Sequence, residues 1–264
     1  MKLGLVTYNL AKDWDADTLI GYCRETGFEG VEPRTTHAHG IEPSLGKSQR
    51  LEVKKKFEGA GIELCGLGTA CEYHSTNPDQ VSQNIEITKQ WVVLARDLNA
   101  PGVKVRPNGV HVDQGVPLEK TLEQIGLSAR QCAEFASNEG VEIRMEVHGR
   151  VTHEIPNMKI IVDVADHPNF KICWNSNPGE TIDGSIQSSF GLLRDKISLV
   201  HINEIGEPKY PWQELFGLLK QSGYTGFCCA EIPPSDQPVR LMHYYNALFR
   251  CHLQLADSNS LHGR

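Results

Sequence analysis

The chain alternates eight times between a short β-rich run, a polar loop and an amphipathic stretch of helical period. The β-rich runs fall at 3–10, 30–35, 63–71, 102–109, 142–149, 170–177, 197–205 and 226–233. Helical stretches such as 15–27, 49–61, 84–98 and 122–137 lie between them, and another at 238–255 follows the last run. Gly27, Gly61, Gly140 and Gly223 each end a helical stretch just before a strand, as a left-handed C-cap does. Eight strands each followed by a helix are most economically satisfied by a closed parallel (β/α)8 barrel, the TIM barrel of the α/β class. A doubly wound open sheet is the alternative, but no GxGxxG follows the first strand. The 264 residues suit one barrel domain over 1–255, with 256–264 expected as a disordered tail.

Composition narrows the partners. A formal net charge of −7 disfavours nucleic acid, whose binding depends on neutralising phosphates with Lys and Arg. No apolar run approaches the roughly 20 residues needed to cross a bilayer, so no membrane partner is expected. The opening MKLGLVTYNL goes straight into strand-like sequence without a secretory pattern. Eight cysteines lie mostly inside apolar runs and form no CxxC, which reads as reduced, buried thiols in a cytoplasmic protein. A homo-oligomer is compatible with these features.

In a parallel barrel the chemistry collects at the C-terminal ends of the strands, and residues alternate between the interior and the helix layer. Ile143, Met145 and Val147 suit the helix layer, which turns Arg144, Glu146 and His148 inward. The same parity turns Asn175 and Asn177 inward on the sixth run, His201 and Asn203 on the seventh, and Cys229 and Glu231 on the eighth. Glu146, Asn175, His201 and Glu231 thus come from four adjacent strands to one mouth. Two carboxylates, an imidazole and an amide oxygen suit one divalent ion: Mn²⁺, Mg²⁺, Co²⁺ or Zn²⁺. Two inward carboxylates without a partner are too costly to bury. Asn175 reads either as a ligand or as a group behind the ligands that meets substrate.

Around this set, Lys104 and Arg106 are inward cations that either bind a substrate's phosphate, carboxylate or hydroxyls, or neutralise the glutamates. His148 reads as a proton shuttle, a contact to a substrate hydroxyl, or a hydrogen-bonded support. Glu72, His74 and His37 come from loops after the second and third strands and join Asn177 as candidate substrate contacts. Glu32 and Arg34 read as an internal ion pair or a substrate contact, and Trp14, Tyr73 and Trp174 as apolar walls of the site, although Trp174 has helix-facing parity.

The segments EVHG (146–149), CWNSN (173–177), HINE (201–204) and AEIP (230–233) resemble the xylose isomerase-like TIM-barrel superfamily from about residue 1 to 250. That superfamily includes D-tagatose 3-epimerase-like sugar epimerases, hydroxypyruvate isomerase, inosose dehydratase, 3-dehydroshikimate dehydratase and endonuclease IV. LGTACEYHS and VKVRPNG are similar to a subgroup described as sugar phosphate isomerase/epimerase. The resemblance implies a carbohydrate substrate and a metal-dependent isomerase or epimerase. It would act by proton abstraction beside a carbonyl through a metal-stabilised enediolate, with Glu146 and Glu231 as the acid/base pair. The chain departs from the epimerase pattern in having Asn175 for an Asp and Pro178 for a His.

The alternative reading is a lyase or dehydratase on a keto-sugar or polyol, since the same enediolate can expel a β-leaving group. An endonuclease IV-like phosphodiesterase is disfavoured because HINEIGEPKYPWQEL carries neither the second His nor the Asp of a three-zinc centre. A non-catalytic sugar-binding barrel remains as a fourth class.

Overall fold

Side-chain parity decides which face of each strand turns inward, and the computed structural model, which describes residues 1–261, follows it. The strands are β1 (Lys2–Val6), β2 (Gly30–Glu32), β3 (Glu63–Leu64), β4 (Leu67–Glu72), β5 (Gly102–Arg106), β6 (Glu142–Glu146), β7 (Phe170–Asn175), β8 (Ile197–Ile202) and β9 (Phe227–Ala230). All their pairings are parallel, in the order β3-β2-β1-β9-β8-β7-β6-β5-β4. The two ends of that order are halves of one strand. Arg34, just past β2, bridges to Gly68 in β4, so the sheet closes as the expected eight-stranded barrel.

The run at 63–71 was expected to be continuous, and the structure interrupts it at Cys65 and Gly66. At the break a side chain from two strands away takes up the freed backbone group: Arg144 Nη1 donates to the Cys65 carbonyl at 2.7 Å.

Eight α-helices among the described residues form the outer layer: α1 (Ala16–Thr26), α2 (Lys47–Ala60), α3 (Pro78–Leu98), α4 (Leu118–Asn138), α5 (Ile155–Ala165), α6 (Gln187–Leu193), α7 (Trp212–Gln221) and α8 (Pro238–Leu261). Local chemistry marks their ends. Asp15 caps α1 by accepting from the Thr18 amide at 2.8 Å, and Gly27 ends it at φ 76°. Asn77 caps α3 with Pro78 in its first turn. The expected tail from Ala256 is helical as far as Leu261, and Ala256 itself is buried, which gives the extra turns an anchor. Residues 262–264 lie outside the described residues.

Two cores follow from the parity. Val31, Val103, Val105, Ile143, Met145, Ile172, Trp174, Val200 and Ile202 face the helices, whereas Val6, Cys65, Cys173, Leu199, Phe227 and Cys229 fill the barrel interior. Seven of the eight cysteines are buried free thiols and Cys251 is exposed. The interior is packed by placing large groups against glycines. A Cβ on Gly30 would lie 2.6 Å from the Phe227 ring and 3.0 Å from the Glu63 carbonyl oxygen, and one on Gly102 would lie 2.5 Å from Arg144 Nε.

At the C-terminal end, the loops after β7 and β8 are latched together. Tyr210 accepts from Trp174 Nε1 at 3.1 Å and donates to Glu180 Oε2 at 3.0 Å, while Glu180 Oε1 is buried without a partner. Burial pushes the Glu180 carboxyl well above the usual carboxylate range, against smaller lowering by its hydrogen bonds.

Two outcomes follow. Gly30→Ala should lower the denaturation midpoint, with a loss of about 1–3 kcal/mol from overpacking, and Phe227→Leu in the same chain should recover part of it. Glu180 is protonated in the fold and ionised in the unfolded chain over the pH range between its two pKa values. Its contribution is therefore complete below the unfolded pKa and is lost as pH rises towards the folded one, at up to about 1.4 kcal/mol per pH unit. Urea titrations from pH 5 to 8 should show that slope, and Glu180→Gln should remove it.

Candidate active site

The register of β6 to β9 brings the inward ends of four strands to neighbouring heights. Asn175 is level with His201, and His201 with Cys229, one inward step below Glu231. Glu146, His201 and Glu231 each offer a ligand atom, and those atoms lie within 4.8 Å of one another. Among the described residues this is the one such group of three or more, far from the ligand count of a three-metal phosphodiesterase centre.

His201 is the pivot. Its Nε2 lies 3.3 Å from Glu32 Oε2, and its Nδ1 lies 3.4 Å from Glu146 Oε1 and 3.6 Å from Glu231 Oε2. Nδ1 is buried with no hydrogen-bond partner. An Nε2–H held by Glu32 leaves the Nδ1 lone pair facing two carboxylates, which is how a carboxylate behind a histidine orients it towards a metal. The donor set therefore fits a divalent cation held by Glu146, His201 and Glu231. Burial pulls the imidazole pKa down, but Cys173, Glu32 and Glu146 around it carry it well above the usual histidine value.

Lys104 balances the glutamates from below. Its Nζ donates to Glu146 Oε2 at 2.6 Å, and both side chains are only 3% exposed. Burial would raise the Glu146 carboxyl, yet Lys104 and then His201 hold it well below the usual range. Of the two expected roles for Lys104, substrate binding or neutralising a glutamate, the geometry has the second. Arg106 likewise ion-pairs with Glu72, whose other oxygen lies 3.7 Å from His74 Nδ1.

Asn175 turns its amide N–H to Glu146 Oε1 at 3.1 Å, and its Oδ1 accepts from Asn203 Nδ2 at 3.4 Å. It sits beside the cluster with its nitrogen, rather than its oxygen, towards Glu146. Asn175 and Glu231 line a cavity of about 370 Å³ together with Tyr8, His148, Asn177 and Asn203. Burial lowers the His148 pKa against a raising effect from Glu146, which favours a neutral ring at neutral pH. Asn177 also donates to the Val147 carbonyl at 3.1 Å. His37 accepts or donates at Thr7 Oγ1, 2.8 Å away, and does not line this cavity. A larger cavity, about 460 Å³, is lined by Phe57, Leu64, Leu98 and Phe227 and by no member of the cluster.

Two sequence expectations about the site are corrected. Glu32 does not pair with Arg34. It reaches His201, and Arg34 lies over the Tyr8 ring at 4.8 Å. The expected aromatic walls are elsewhere: Trp174 and Tyr73 are buried in the helix-facing core, Tyr73 bonded to Thr88, and Trp14 packs on Tyr22. Tyr8, Ile232 and Pro233 take the place at the cavity. Glu32 was visible as an inward acid on the second strand, but its partner lies 169 positions away along the chain.

The whole barrel is similar to solved structures. D-psicose 3-epimerase from Clostridium cellulolyticum H10, solved with D-tagatose, aligns at TM-score 0.80 and 19% identity, over 96% of this chain and 99% of that one. An L-ribulose 3-epimerase aligns at 0.82 and 15%, over 98% and 96%. The probable 3-DHS dehydratase AsbF from Bacillus anthracis aligns at 0.71 and 15%, over 95% and 99%. At these identities the likeness speaks for the fold. The family model of the xylose isomerase-like TIM barrel matches residues 20–245, and the chain belongs to that family.

Proposed function

We propose that the chain is a metal-dependent isomerase or epimerase that acts on a ketose or keto-sugar by proton abstraction next to a carbonyl. The observation that carries this reading is the buried His201 Nδ1 atom, set between Glu146 and Glu231, the second of which lines a cavity sized for a small molecule. Two of the structurally similar barrels are sugar 3-epimerases, which agrees with it. A divalent cation, when bound by Glu146, His201 and Glu231, supplies Lewis-acid polarisation of a carbonyl and its neighbouring hydroxyl.

The chain's own residues account for the rest. Glu32 fixes the tautomer and tilt of His201. Asn175, Asn177 and Asn203 line the cavity with amides that can donate to or accept from sugar hydroxyls. Glu231 reaches the cavity with its side chain 18% exposed, so its carboxylate can take a proton from a substrate carbon. His148, facing the same space, can pass a proton between substrate oxygens. Asn175 in first contact with the ion would require its amide to turn, breaking the bonds to Glu146 and Asn203. The free thiols favour a cytoplasmic setting for this chemistry.

The lyase reading keeps one specific support, because a neutral imidazole at the cavity can also donate to a leaving hydroxyl. Release of an unsaturated product from the same sugars would favour it.

Elemental analysis of purified protein should find about one divalent ion per chain, as expected for a single site. Glu231→Gln and His201→Ala should each lose most of it, and retention by both would remove the site. Because a proton competes for His201 Nδ1, and its pKa is raised, Mn²⁺ affinity should climb with pH by up to about one proton released per ion. In D₂O with Mn²⁺, candidate ketoses should acquire deuterium at carbon, and Glu231→Gln should abolish that exchange, by more than about 10²-fold.

A further inference from the structure

The two glutamates of the cluster sit in opposite surroundings. Glu146 has both oxygens engaged: Oε2 by the Lys104 ammonium at 2.6 Å, and Oε1 by the Asn175 amide at 3.1 Å beside His201 Nδ1. The register sets Lys104 level with Arg144, one inward step below Glu146, so the ammonium approaches from inside the barrel. Lys104 does not line the cavity. Glu231 lies on the cavity wall, and among the described residues no lysine or arginine nitrogen comes within 4.0 Å of its carboxylate. A carboxylate oxygen already gripped by a buried ammonium is a poor proton acceptor, whereas one facing a cavity is free to receive and return a proton.

We propose that Lys104 is a positioning residue that withdraws Glu146 from proton transfer and leaves Glu231 as the single carboxylate base, so that the protein interconverts a 2-ketose and an aldose and does not invert a carbon. This rests on the ketose reading above. The chemistry balances without a further reactant. Glu231 takes a proton from C1 of the ketose, and the C–H electron pair becomes the C1–C2 double bond as the C2 carbonyl becomes a hydroxyl. The same carboxyl returns its proton to C2 on the same face. The C1 hydroxyl proton passes to the C2 oxygen, for which His148 is placed, and C1 becomes the aldehyde. Epimerisation would need a second acid on the opposite face of the enediolate, and that is the role Lys104 denies to Glu146.

The test uses the full chain loaded with Mn²⁺, incubated in D₂O with D-fructose, D-tagatose, D-xylulose and their phosphate esters, with products identified by NMR. The wild type is expected to give aldose labelled at C2 and no C3 epimer. Lys104→Met should bind Mn²⁺ about tenfold or more tightly by calorimetry, since a nearby positive charge is removed, and should gain label at a second carbon. Lys104→Arg should keep the wild-type products. It serves as the folded control if the methionine variant does not accumulate. A C3 epimer as the main wild-type product would overturn this inference and leave the ketose reading standing. Unchanged Mn²⁺ affinity and products in Lys104→Met would also overturn it. Absence of exchange or turnover with every sugar would remove the ketose reading, and the inference with it.

Discussion

Charge balance inside the barrel governs the rest of this structure. Glu32, Glu146 and Glu231 converge with Lys104 and His201 in a space where four of the five groups are almost wholly buried. A carboxylate taken out of water is costly unless paired. Three carboxylates meet one permanent ammonium, a deficit of two charges. A divalent ion removes that deficit with His201 neutral, and an imidazolium removes half of it before any ion binds. The raised His201 pKa and the orphaned Nδ1 are two expressions of that one imbalance.

The fold supplies what the balance requires. Closure of the sheet through Arg34 and Gly68 brings β2 within reach of β8, which is how Glu32 arrives behind His201. Glycines in the interior let Phe227 and Arg144 fill the lower barrel, and Arg144 in turn satisfies the Cys65 carbonyl where the third strand is interrupted. The lower barrel is thus packed and internally neutral, since Arg144 is paired with Glu142. The uncompensated charge is confined to the upper end, beside the cavity.

How much of this could be read beforehand depends on what a period of two reveals. Parity alone separates Glu146, His201 and Glu231 from their helix-facing neighbours, and it also assigns Trp174 to the helix layer, where it is found. Parity says in or out. It does not say at what height around a tilted barrel a residue sits, because that depends on the stagger between strands. The pair Glu32–His201 is set by stagger across 169 positions and was therefore hidden, while Lys104 was legible as a cation that neutralises a glutamate, but not as the partner of Glu146, 42 positions away. Loop residues were hidden for another reason. Tyr73 follows β4 with core-facing direction, while Tyr8 follows β1 at the mouth, and no periodicity extends past a strand's end to distinguish them.

Asn175 and Lys104 act in the same direction. An aspartate at 175 would add a negative charge, and a neutral residue at 104 would remove a positive one. Either change would deepen the attraction for a cation and, by the same Coulomb argument, leave that cation more fully neutralised. The chain has the opposite pair. Lys104 also gives Glu146 a partner before an ion binds. The barrel can then fold without leaving that carboxylate alone in the interior, a situation worth several kcal/mol against the fold. Lys104 holds Oε2, so the oxygen left for a bound ion would be Oε1, beside His201 Nδ1, and the lysine could keep its place once an ion is bound. The residue that lets the site form is thus also the one that makes its two glutamates unequal.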